Sequence, residues 1–108
     1  MYVPKQGDIV RLHFDPSAGR EITKYRPGYI LSRKEFNEHT GLAIVAPITS
    51  TIRGINLEVQ LEHTKTEGAI LVQQIRSLDY DSRDVEFVEK APDAIVKQVS
   101  RIAQILVR

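Results

Sequence analysis

Only one stretch of this chain keeps a helical period over several turns. Between Pro92 and Arg108, apolar residues return every three or four positions at Ile95, Val99, Ile102 and Leu106, with Val96 and Ala103 widening the stripe. Pro92 suits the first helical position and Asp93 the positive end of the helix dipole, while Lys97, Arg101 and Arg108 lie toward the end that favours cations. Everything before this helix is patterned for strands. A single amphipathic helix covers only part of the apolar surface those strands present, so the sheet must curl or find a further cover.

The strand signals follow one another with little between them. From Asp8 to Phe14, Val10, Leu12 and Phe14 alternate with Arg11 and His13, which is the period of a half-buried strand. Asp15-Pro16-Ser17-Ala18-Gly19 has turn chemistry, and Gly28 to Leu31 reads as the second strand. Arg33 to His39 allows about two helical turns before Thr40-Gly41 stops them. Leu42 to Ile48 is continuously apolar and partly β-branched, so it predicts a central strand whose ladder Pro47 interrupts. Thr49 to Asn56 is a hydroxyl-rich loop, and Leu57, Val59 and Leu61 alternate in the next strand. Glu62 to Gly68 is a polar turn, Ala69 to Ile75 is apolar again, and Val85 and Phe87 mark a last strand. Six or seven short strands and one committed helix predict a β-rich α+β fold, a small curled antiparallel barrel capped by that helix. A chain of 108 residues suits one domain, residues 1–108, with one core.

The functional signal concentrates in Gly19 to Ser32. Its first half is polar and charged, and its second half turns apolar after Arg26-Pro27, where proline is tolerated as a strand begins. The loop therefore delivers Arg26 to a strand mouth. With Glu21 to orient it and Lys24 beside it, that guanidinium suits a phosphate, because its planar fork of donors matches phosphate oxygens. The bland alternative is a surface ion pair. Net charge is only +1, so bulk charge announces no nucleic-acid partner. Its distribution says more: Arg20, Lys24, Arg26, Arg33 and Lys34 crowd one segment, and Asp79, Asp81, Asp84, Glu86 and Glu89 another.

Several chemistries find no support. Cysteine is absent, which removes disulfides, thiol nucleophiles and thiolate metal sites together. His13, His39 and His63 are scattered and form no metal-binding motif, so neither a metal nor another cofactor is expected. No Gly-x-Ser-x-Gly turn or phosphate-cradling glycine loop occurs. No run of about 18 apolar residues exists and the N-terminus lacks a signal-peptide core, so a soluble, cytoplasmic protein without a membrane partner is expected.

An ordered set of motifs carries a resemblance. Gly7-Asp8-Ile9-Val10, then Phe14-Asp15-Pro16 with Gly19 and Glu21, then Arg26-Pro27-Gly28-Tyr29-Ile30-Leu31-Ser32, resembles the front half of the MazF/PemK family of toxin endoribonucleases. Ala46-Pro47-Ile48-Thr49 is similar to that family's proline-x-threonine step, and Gly68 to Ser77 to its later strand with a glutamine and a basic residue. The resemblance runs from Gly7 to about Leu78. It implies an SH3-like barrel, a homodimer, and metal-independent cleavage of single-stranded RNA to a 2′,3′-cyclic phosphate and a 5′-hydroxyl. It also implies a cognate antitoxin, whose disordered acidic tail would lie in the RNA groove.

Residue roles follow from the resemblance only where positions match. Arg26 corresponds to the catalytic arginine, Thr49 to the catalytic threonine and Glu21 to a loop glutamate, with Lys24, Ser50, Arg53, Gln74 and Arg76 as RNA contacts. Gln73 departs from the acidic residue common in relatives, and Ile55-Asn56 from an aromatic-proline pair, which bears on base preference. A guanidinium almost never loses its proton in proteins, so Arg26 is cast as phosphate clamp, with Glu21 or water as the base. Two rivals share the barrel. A CcdB-like gyrase poison would carry a tryptophan in its tail, and this chain has none. A non-catalytic nucleic-acid-binding barrel would need more stacking rings than four tyrosines and three phenylalanines readily supply.

Overall fold

The computed structural model describes residues 1–14, 25–51, 54 and 57–108. Seven strands form an antiparallel sheet: β1 (Asp8–His13), β2 (Tyr25–Ile30), β3 (Leu42–Thr49), β4 (Glu58–Gln60), β5 (Ala69–Leu71), β6 (Arg76–Asp79) and β7 (Glu86–Lys90). Two α-helices accompany them, α1 (Lys34–Thr40) and α2 (Asp93–Val107). The strand path runs β4-β5-β3-β2-β1-β7, and β6 pairs with β3 off that path. The sheet is SH3-like, and among the described residues no ladder joins β4 to β7 to close it into a barrel.

The hinge of this topology is β3. Its first half, Leu42 to Val45, pairs with β6, and its end, Ile48 and Thr49, pairs with β5. Pro47 sits inside the strand at that changeover, so it does not end the strand as its sequence suggests. Neither ladder needs a donor there, and the missing N–H costs nothing on that edge. Pro27 behaves similarly. β2 begins at Tyr25, two residues before the proline, because its ladder with β1 runs on to Tyr25 while its pairing with β3 stops at Gly28.

Alternation along the strands divides the apolar residues between two faces. Ile9, Tyr29, Ala46, Ile48, Val59 and Ile70 pack beneath α2 through Ile95 and Val99. Full burial of side chains this size is worth about 1.5–3 kcal/mol each, which is what holds a helix lacking any side-chain N-cap bond onto the sheet. Pro92 is the N-cap residue, one position earlier than its helix-starting preference suggests. On the opposite face Val10, Leu12, Phe14, Ile30, Ala43, Val45, Leu78 and Tyr80 form a second cluster, with Tyr2 and Val3 of the N-terminal segment packed against it. That segment is fastened by Asn37, wholly buried, whose amide donates to the Pro4 carbonyl at 2.7 Å. The second cover the sheet requires is thus partly its own N-terminus.

Candidate active site

The second face changes character at one end of the sheet. Residues paired across a ladder share a face, as do alternate residues along a strand. The β2–β3 ladder ends where Gly28 pairs with Pro47, and two residues beyond that last pair along each strand Arg26 and Thr49 fall on that face. Leu12 lies opposite Arg26 in β1, and Ala69 and then Gln60 lie beyond Thr49 in β5 and β4. Two short rows therefore end on this face, Gln60, Ala69 and Thr49 across β4, β5 and β3, and Arg26 and Leu12 across β2 and β1. Apolar rows lie further into the sheet, and exposed polar groups gather at this rim.

Of these side chains, Arg26 and Thr49 are left open to act. Arg26 is exposed and makes no hydrogen bond or ion pair among the described residues. Thr49 is half-buried, and its Oγ1 accepts from the Thr51 N–H at 3.1 Å, which leaves its own hydrogen available to an incoming oxygen. Backbone geometry fixes Thr49 more tightly still. Gly68, at φ +126°, lies so close that a β-carbon there would stand 2.3 Å from the Thr49 carbonyl oxygen.

Phe14 makes the floor. Gly28 has no side chain because the Phe14 ring occupies that space, and a β-carbon would come within 2.8 Å of its edge. Above the same ring lies the Arg76 guanidinium, 5.4 Å from the centroid. Arg76 thus joins the face through Phe14, although β6 was not separable in the sequence from the apolar run before it. Gln74 is exposed at the end of the 3₁₀ turn Val72–Gln74, and Ser50 is exposed directly after β3. Glu21, Lys24 and Arg53 lie outside the described residues. Of the basic segment, Arg26 and Arg33 lie toward opposite ends of β2, and Arg20 and Lys24 lie outside the described residues.

The reverse face holds the start of β2 in place. Arg11 Nη2 donates to the Tyr25 carbonyl at 2.8 Å, and the His13 and Tyr25 rings meet at 4.8 Å. Burial and the adjacent Glu86 carboxylate raise the Tyr25 phenol above its ordinary pKa, so it stays a donor. The acidic segment is therefore more than a solvated face: Asp84 and Glu86 face Tyr25, and Glu89 holds Lys65 and Thr66. No periodic signal marks these partners. Among the described residues no group of three His, Asp or Glu side chains gathers as a metal site, and no helix is long and apolar enough to cross a membrane.

Comparison with known proteins adds the decisive observation. The family model of the PemK-like, MazF-like toxins of type II toxin-antitoxin systems matches residues 5–107. The chain belongs to this family. It is 34% identical over 82 residues to the endoribonuclease toxin MazF of Escherichia coli K12, covering 76% of this chain and 74% of that protein. The crystal structure of MazF from Deinococcus radiodurans superposes with a TM-score of 0.88 at 37% identity, covering 99% of this chain and 98% of that one. A MazE-MazF crystal structure from the same organism gives 0.89, also at 37% identity, over 98% and 97% of the two chains.

Proposed function

We propose that this protein is an endoribonuclease toxin that cuts single-stranded RNA at selected sequences without a metal. The observation that best supports the reading is that Arg26 and Thr49 each stand two residues beyond the last β2–β3 pair, Gly28–Pro47, at an open, polar rim. Related proteins named endoribonucleases support it independently. In the proposed reaction the ribose 2′-oxygen attacks the adjacent phosphorus and the bond to the 5′-oxygen breaks. The 2′-hydroxyl proton passes to Glu21 or water, and the departing 5′-oxygen takes up a proton. The products are a 2′,3′-cyclic phosphate and a 5′-hydroxyl.

Charge grows on the phosphorane oxygens during this step, so donors fixed around the phosphate supply most of the effect. Arg26 provides a charged fork and Thr49 a neutral hydroxyl. Lys24, Ser50, Arg53, Gln74 and Arg76 serve as RNA contacts. The protein acts as a cytoplasmic homodimer, and a cognate antitoxin neutralises it through a disordered acidic tail that occupies the RNA groove, folding as it binds. The MazE-MazF crystal structure from Deinococcus radiodurans supports such a partner. Incubation with end-labelled RNA in excess EDTA tests the whole reading. Cleavage products ending in a cyclic phosphate are expected, and intact, retained RNA would instead make the protein a binding module.

A further inference from the structure

The turn between β6 and β7 grips both sides of the rim, and nothing in the family assignment explains why. Arg83 is half-buried, and its Nη1 donates to two successive carbonyls at the end of β1, His13 at 2.9 Å and Phe14 at 2.8 Å. One residue on, Asp84 adopts a left-handed conformation, φ 54° and ψ 48°, unusual for a side chain other than glycine's. That conformation presents its carbonyl to the Tyr25 hydroxyl at 2.8 Å, while its carboxylate stands 3.6 Å from His13 Nε2. Two neighbouring residues of one turn therefore hold Phe14, directly after β1, and Tyr25, the first residue of β2.

Each held residue leads directly to the rim. Phe14 is the ring beneath Gly28 and Arg76, and Tyr25 precedes Arg26 in the chain. We propose that Arg83 is a positioning residue for RNA cleavage, setting the Phe14 floor and the start of β2 so that Arg26 meets the phosphate in productive geometry. The inference rests on the endoribonuclease reading. Arg83 itself touches backbone rather than substrate, so its loss misplaces groups without removing any of them. Misplacement by about an ångström costs up to about 100-fold in rate.

The test separates rate from affinity. Single-turnover cleavage of a short RNA, and binding of the same RNA carrying a 2′-deoxyribose at the cut site, are measured for wild type, Arg83→Met, Arg83→Lys and Tyr25→Phe, with thermal melts of each. Arg83→Met is expected to cleave at least about tenfold more slowly while binding the uncleavable RNA as wild type does, because geometry rather than contact is lost. Arg83→Lys retains a cation able to reach one carbonyl and should recover part of the rate. Tyr25→Phe, which removes the hydroxyl that donates to the Asp84 carbonyl and the Glu86 carboxylate, should show the same split and stands in should Arg83→Met fail to fold. A folded Arg83→Met protein cleaving at the wild-type rate overturns the proposal, as does one whose loss lies wholly in RNA affinity, which would make Arg83 a phosphate contact. Wild-type protein that cuts no RNA would end the endoribonuclease reading and this one with it.

Discussion

Thr49 is held by its backbone and left open at its hydroxyl. The Gly68 contact makes this arrangement brittle: a β-carbon there meets the Thr49 carbonyl at 2.3 Å, and φ +126° is a region that side chains avoid. Gly68→Ala should therefore lose about 1–3 kcal/mol of stability from backbone strain alone. It should also lower cleavage beyond what unfolding accounts for, because the atom displaced belongs to Thr49, the proposed catalytic threonine. Urea titration alongside single-turnover assays checks both, and an unaltered midpoint with unaltered cleavage would show that the close approach has no consequence. Residue by residue, legibility was uneven. Arg26 and Thr49 stood out through motif order, whereas Gly68 read as the end of a polar turn and the start of the later motif, with no sign of its contact with Thr49. Arg83 bonds to carbonyls 69 and 70 positions away, a relation no local pattern encodes.

Elements were legible where their period ran long. Four turns of apolar spacing made α2 plain, and its Ile95 and Val99 are indeed the buried contacts. β6 has four residues and only Leu78 buried among them, too little alternation to separate it from the preceding apolar run. The Glu62–Gly68 turn was legible as a turn but not as a fixed one. Glu89 fastens it, accepting from the Lys65 N–H at 3.0 Å and from the Thr66 N–H and Oγ1 at 2.8 Å each. Burial pushes the Glu89 carboxyl up, yet these hydrogen bonds and the Lys65 charge outweigh it and hold the group below its ordinary value of 4.5. A carboxyl depressed by folding stabilises the fold above its unfolded pKa and loses that contribution as pH falls through the folded one. Wild type should thus melt above Glu89→Gln at pH 7, with the gap closing on acidification below 4.5. An equal gap at pH 7 and pH 3 would mean that the charge plays no part in pinning the turn.

At the scale of the whole molecule, a net charge of +1 provides little general attraction for RNA, so recognition must rest on a local face. The molecule also exposes apolar side chains that one copy leaves uncovered: Ile105 and Val107 at the end of α2, beside a groove of about 300 Å³ lined by Leu31, Ile44, Ile75 and Ala103. A second copy gives that surface a partner through a self-complementary two-fold contact. Light scattering at micromolar concentration should accordingly report close to twice 12.3 kDa, and a single-chain mass would contradict the proposed homodimer. The central claim is that a local cation on an almost neutral molecule performs the chemistry, and single-turnover cleavage of a short RNA by Arg26→Ala and Arg26→Lys tests it most directly, with circular dichroism confirming the fold. Arg26→Ala should cleave about 100-fold more slowly or worse, the scale on which loss of one preorganised transition-state donor is felt. Arg26→Lys should stay mostly inactive, since an ammonium keeps the charge but lacks the planar fork. A folded Arg26→Ala protein cutting RNA at the wild-type rate would contradict the account.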